Sequence, residues 1–161
     1  MDFNEHLVKE YLESKGYFVR TNIKSARKEI DILAVDPSKE KYLVGEVKSA
    51  RLNAEGLKEI NHNIFENSFI LEKISSLFPG KVYEKVIFCW NFNAEDQGLI
   101  KLAKYKYNIS LITYGIILKH FHSKIIILPE GKYRYDNNRP TFMLFQMLYE
   151  FSNNFEKSRF Q

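Results

Sequence analysis

Apolar positions recur at helical spacing near the start of the chain. Phe3, Leu7, Val8, Tyr11 and Leu12 form one stripe of a helix over about residues 3–15. Gly16 is placed to end it, because the position past a helix C-terminus favours left-handed backbone, which glycine adopts without strain. The period then shortens. Residues 17–23 are rich in aromatic and β-branched side chains and predict a first strand, and residues 24–28 read as a basic loop leading into the next. Residues 29–36 and 42–49 alternate or run apolar. Pro37, Ser38, Lys39, Glu40 and Lys41 between them have the composition of a hairpin turn, so the two strands are expected to be antiparallel.

Asn53 is placed to cap a long helix. Its stripe of Leu57, Ile60, Ile64, Leu71, Ile74 and Phe78 continues to a Pro79-Gly80 stop, with a break marked at Asn67-Ser68. Residues 81–90 predict a strand apolar enough near its end for cover on both faces. Asn93 and Asp96 come close to a capping box for a helix through Leu99, Ile100, Leu102 and Ala103, which Asn108 closes before a last core strand at 109–113. The order helix, three-stranded meander, helix, strand, helix, strand predicts an α/β protein around a mixed sheet with right-handed crossovers. Beyond Thr113, the apolar runs 116–118 and 125–128 are too short to type by periodicity. Residues 129–140 read as a loop mixing tyrosine and arginine, and residues 141–155 as a helix with a wide apolar face of Phe142, Phe145, Met147, Leu148 and Phe151. The tail is expected to fray. With no internal repeat or linker, the reading is one domain over 1–161, its core about 1–114 and a C-terminal helical extension about 115–161.

The hairpin carries the candidate chemistry. Asp31 lies on its first strand and Glu46 and Lys48 on its second. A separation of two puts Glu46 and Lys48 on one face, so a carboxylate from each strand and a lysine can converge. Two readings stand side by side. Paired hard carboxylates are what Mg²⁺ or Mn²⁺ takes, with water and a substrate phosphate in the remaining positions, and a nearby lysine can orient water and neutralise phosphate charge. The plainer reading is a solvated hairpin face with cross-strand ion pairs. Glu5 divides in the same way. It is either a local partner of the helix dipole or a side chain beside the buried stripe that reaches the sheet surface. His62 reads as an exposed helix residue. His120 and His122, two apart, would share a face on a strand, but no cysteine or acid stands at ligand spacing, so they read as basic surface and not as a zinc site.

The ordered set formed by a helix with Glu5 eleven residues before Gly16, then Asp31, then Gly45-Glu46-Val47-Lys48-Ser49, resembles the PD-(D/E)xK nuclease superfamily. It looks most like the branch of archaeal Holliday junction resolvases and Mrr-like restriction endonucleases. The resemblance covers about residues 3–50 and departs in one place, Ile30 standing before the aspartate where proline is common. It implies a restriction-endonuclease-like αβββαβ core and a Mg²⁺- or Mn²⁺-dependent endonuclease acting on duplex or branched DNA. Glu5, Asp31, Glu46 and Lys48 would be catalytic, and the metal would sit on Asp31, Glu46 and the Val47 carbonyl. Arg20, Lys24, Arg27, Lys28 and Arg51 are the expected phosphate contacts. A non-catalytic nucleic-acid-binding module of the same fold, and a structural or regulatory oligomer, are the other function classes carried forward.

Composition changes this picture little. The 161 residues carry a net charge of +4, yet residues 14–28 and 97–129 hold only basic charges, as suits a polyanion. The single cysteine, Cys89, excludes a disulfide framework and reads as a small core residue. No apolar run approaches the ~20 residues of a membrane span, and the N-terminus lacks a signal-peptide pattern, so a cytoplasmic protein is expected. Because one such site cuts one strand, a homodimer is also expected, with the helix at 141–155 as its candidate surface.

Overall fold

Helix α1 (Phe3–Glu13) buries Leu7, Val8, Tyr11 and Leu12, four members of the expected stripe. Phe3, the fifth, is 53% exposed at its open end. Gly16 takes a φ of 91°, and the Tyr17 N–H behind it donates to the Leu12 carbonyl at 3.1 Å, which satisfies one of the free carbonyls of the helix end. These features come from a computed structural model that describes residues 3–25, 28–90, 97–122, 126–127 and 133–134.

Five strands follow: β1 (Phe18–Ser25), β2 (Lys28–Asp36), β3 (Lys41–Lys48), β4 (Glu84–Cys89) and β5 (Ile109–Thr113). They lie side by side in chain order. The first two pairings are antiparallel and the last two parallel, which makes the mixed sheet of an α/β protein. The basic loop is shorter than its composition suggested. Lys24 pairs with Glu29 and Ser25 with Lys28, so both lysines belong to the ladder, while Arg27 lies outside the described residues. Ser25 Oγ also donates to the Phe69 carbonyl at 2.7 Å.

The connection from β3 to β4 holds α2 (Ala54–Ile60), a π-helical segment Asn61–Phe65 and α3 (Ser68–Leu77). Asn53 Oδ1 caps α2 by accepting the Gly56 N–H at 2.8 Å. The expected break is a fresh helix start, where Asn67 Oδ1 accepts the Ile70 N–H at 3.3 Å. Helix α4 (Gln97–Lys101) runs into a second π-helical segment, Leu102–Tyr107, closed by Asn108 at φ 54°. Its proposed cap, Asn93 with Asp96, lies outside the described residues. Leu33, Val44 and Ile87 of the sheet pack with Leu57, Phe65, Ile70, Ile74 and Ala103 in one core. Gly45 is required here by space: a Cβ would stand 2.9 Å from Phe88 Cε2 and 3.1 Å from Ile32 Cβ. The residue before Glu46 is therefore pinned against its neighbours. Cys89 is buried and its thiol is pushed up to about 11 by burial, as an inert core residue would be.

The run 116–118 that periodicity left untyped lies within helix α5 (Tyr114–His122), which buries Tyr114, Ile117 and Phe121 at helical spacing. His120 and His122 thus lie on a helix and not on a strand. The chain divides into two compact units, Met1–Ile117 and Leu118–Gln161. In the second, Ile126–Ile127 pairs antiparallel with Tyr133–Arg134. The rest of the expected loop at 129–140, the helix at 141–155 with its dimer surface, and the tail lie outside the described residues. Among the described residues no helix is long and apolar enough to cross a membrane.

Candidate active site

The β2–β3 register pairs Ile32 with Gly45, and continued by one residue it sets Asp31 opposite Glu46. The main-chain ladder yields there to side chains. Asp31 Oδ2 accepts the Val47 N–H at 2.8 Å. A strand residue presents its N–H and C=O to the same neighbour, so the Val47 carbonyl faces the Asp31 side as well. Lys48 Nζ donates to Glu46 Oε1 at 2.7 Å, as the shared strand face predicted. The Glu46 side chain is only 7% exposed and hydrogen-bonds with that of Asp31, and its other oxygen, Oε2, is buried with no N–H donor among the described residues.

Electrostatics follow from that crowding. Burial raises the pKa of Asp31. The Val47 N–H and Lys48 oppose the rise, and the charge of Glu5 adds to it. Burial, then the charge of Asp31, push Glu46 up to about 7 despite Lys48. The pair is electrostatically incomplete. One ammonium does not offset two desolvated carboxylates, so the protonated form of the pair is favoured.

No protein-family model and no curated protein matches the chain. Among solved structures it is similar to the crystal structure of a repair endonuclease from Pyrococcus abyssi. The TM-score is 0.45 and the identity 11%, over 67% of this chain and 43% of that one, so this chain spans less than half of that protein's length.

Glu5 stands in the first turn of α1, and its Oε2 accepts from Asn22 Nδ2 at 3.0 Å. Asn22 was not singled out by sequence reasoning. It falls where β1 would pair with Asp31, between Thr21↔Ile32 and Ile23↔Ile30, and its φ of 55° takes it out of the ladder. The available signal was an asparagine, tolerant of left-handed backbone, inside a strand of aromatic and β-branched residues. Glu5 thus bears on Asp31 through its charge. Among the described residues, however, no three His, Cys, Asp or Glu side chains form a metal-holding group. Two carboxylates and a backbone carbonyl still suit Mg²⁺, which keeps several waters and commonly uses one or two protein carboxylates, and Glu46 Oε2, without an N–H donor among the described residues, is a ligand atom to spare.

Of the expected phosphate contacts, Arg51 lines with Glu46 and Lys48 a cavity of about 290 Å³. Lys28 lies half-buried three residues before Asp31, and Lys24 and Arg20 are exposed on the adjoining strand. His62 is exposed on the π-helical segment, as expected of a surface residue. Glu59 and Asn63, which also line the cavity, were missed as well. Those residues approach Glu46 only through the fold.

Proposed function

We propose that this chain is a divalent-cation-dependent endonuclease that hydrolyses phosphodiester bonds of DNA. The observation that carries the reading is Glu46. Its carboxyl is buried against that of Asp31 and held by Lys48 on one oxygen, the other oxygen has no N–H donor among the described residues, and burial pushes its pKa up to about 7. Asp31, Glu46 and the Val47 carbonyl would hold Mg²⁺ or Mn²⁺. When bound, such a cation polarises a phosphate oxygen and makes water a nucleophile at neutral pH.

The chain's own residues do the rest. The Val47 N–H fixes the rotamer of Asp31, and Gly45 fixes the strand from which Glu46 projects. Lys48, now bonded to Glu46, carries the charge that orients water and offsets the charge gathering on the phosphate. Glu5, held by Asn22, positions water from the helix side. Arg51, Lys28, Lys24 and Arg20 give phosphate contacts that supply affinity and register without reading sequence. A binding module without catalytic duty fits less well, because two crowded carboxylates repel phosphate unless a cation bridges them.

Labelled duplex, branched and single-stranded DNA incubated with Mg²⁺ or Mn²⁺, and in parallel with excess chelator, tests the reading. Cutting only with the cation is expected. Undiminished cutting in chelator, or no cutting of any DNA, overturns it.

A further inference from the structure

The cavity beside the carboxylates has a composition that neither metal binding nor phosphate binding requires. Glu46 and Lys48 contribute to its lining. Much of the rest is apolar, from Leu52 after β3 and from Ile60 and Ile64 on the helical connection, all three buried residues. The other polar groups that line it are the exposed side chains of Arg51, Glu59 and Asn63. The lining turn is the π-helical segment Asn61–Phe65, a local widening that is frequent at functional sites.

An apolar slot with a polar rim matches one part of a nucleic acid and not the others. Phosphate and sugar need no apolar wall. A nucleobase presents two faces that favour apolar contact and an edge of donors and acceptors that an amide, a carboxylate and a guanidinium can meet. The size agrees. About 290 Å³ lies just below the ~300–1,000 Å³ of ordinary ligand pockets, which suits one planar heterocycle and not a stacked pair. A base inside a duplex has both faces covered by its neighbours and cannot enter such a slot without leaving the stack.

We propose that this cavity receives the base of one unpaired nucleotide adjoining the phosphate held at Asp31, Glu46 and Lys48. The substrate class is then DNA with an unpaired nucleotide at the cleavage position, such as a bulge, a branch or a single strand. The proposal rests on the nuclease reading for the identity of the neighbouring phosphate. Arg51 reaches the backbone of the same nucleotide, and Asn63 and Glu59 face the base edge.

Three otherwise identical labelled duplexes separate the possibilities: one fully paired, one with a single unpaired nucleotide, and one with an abasic sugar in its place. Affinities are read by fluorescence anisotropy in Ca²⁺ and cutting is read in Mg²⁺. The unpaired base should bind at least about fivefold tighter than the abasic sugar, the lower end of what stacking one base contributes. Asn63→Trp, which fills the slot from its exposed rim, should bring the unpaired-base duplex within about twofold of the abasic one. Equal affinities for base and abasic sugar, or a preference that survives Asn63→Trp, overturns the pocket. Cutting of all three at one rate with equal affinities strikes the pocket and leaves the nuclease reading. A base preference in binding with no cutting anywhere strikes the nuclease reading and leaves the pocket.

Discussion

At the turn end of the β2–β3 hairpin, Asp36 accepts from the Ser38 N–H at 3.0 Å and Ser38 Oγ at 2.6 Å on one oxygen, and from Lys39 Nζ at 2.7 Å on the other. At the opposite end, Asp31 and Glu46 share one lysine and one N–H, and Glu46 Oε2 has no N–H donor among the described residues. The two ends use the same side-chain chemistry to opposite effect. Lys39 and Ser38 hold the Asp36 carboxyl down at about 2, whereas burial and mutual repulsion push Glu46 up to about 7. Asp36 is covered by its own turn and its bonding is complete, so it fastens the hairpin. The Asp31–Glu46 end is left short of positive charge, as the proposed cation site requires.

The largest separation between the ends is expected in catalysis. Asp31→Asn and Lys48→Ala should each cut DNA at least about a hundredfold more slowly than wild type in Mg²⁺, the scale of losing one group that stabilises the reacting phosphate. A gel assay under single-turnover conditions reads this. Wild-type rates in either variant would remove that residue from the site.

Stability against pH sharpens the same contrast. A carboxyl raised from 4.5 to about 7 binds its proton more tightly when folded, so the stability it contributes is complete below about 4.5 and is lost as pH rises through about 7. Asp36 has the opposite sign. Its contribution is present above 3.8 and is lost as pH falls through about 2. In chelator, unfolding free energy should therefore drop between pH 5 and 8 by on the order of 3 kcal/mol from Glu46, and Mg²⁺ should restore most of it at pH 8 and little at pH 5. Denaturant titrations with and without Mg²⁺ measure this, and a flat profile in chelator would contradict it.

A smaller effect should come from Asn22. Asn22→Gly keeps the left-handed backbone but loses the amide that holds Glu5, so cutting at limiting Mg²⁺ should fall about tenfold while the fold stays intact. This is the scale of losing a side chain that orients a ligand-bearing group. Recovery at saturating Mg²⁺ would mark a positioning role, and an unchanged Mg²⁺ dependence would rule it out. Smallest is the phosphate surface. Replacing Arg27 and Lys28 together by alanine should flatten the log–log salt dependence of DNA affinity by about 0.9 per charge, with sequence preference unchanged.

The comparison also marks what the sequence made legible. Strand periodicity and the turn composition gave the hairpin, and a two-residue separation gave the Lys48–Glu46 pairing, because both depend on neighbours along the chain. Helix α1 was readable for the same reason, down to Gly16. Three features were not. The run 116–118 was too short to show that its period was helical, and only the buried Tyr114, Ile117 and Phe121 of the folded chain reveal it. The departure of Asn22 from the ladder depends on a partner, Glu5, seventeen residues away. The cavity joins Glu46 to Asn63 through the packing of a π-helical turn that local propensity does not encode. The satisfied state of Asp36 was half legible, since Ser38 and Lys39 are the turn residues that complete it.

Side-by-side cutting of one labelled DNA in Mg²⁺ by wild type, Asp36→Asn and Glu46→Gln tests most directly that one end of the hairpin is the site and the other its fastening. The account predicts that Asp36→Asn, though less stable to heat, cuts within about twofold of wild type, while Glu46→Gln loses at least about a hundredfold. Cutting by Glu46→Gln at the wild-type rate, or loss of cutting in a folded Asp36→Asn, would contradict it.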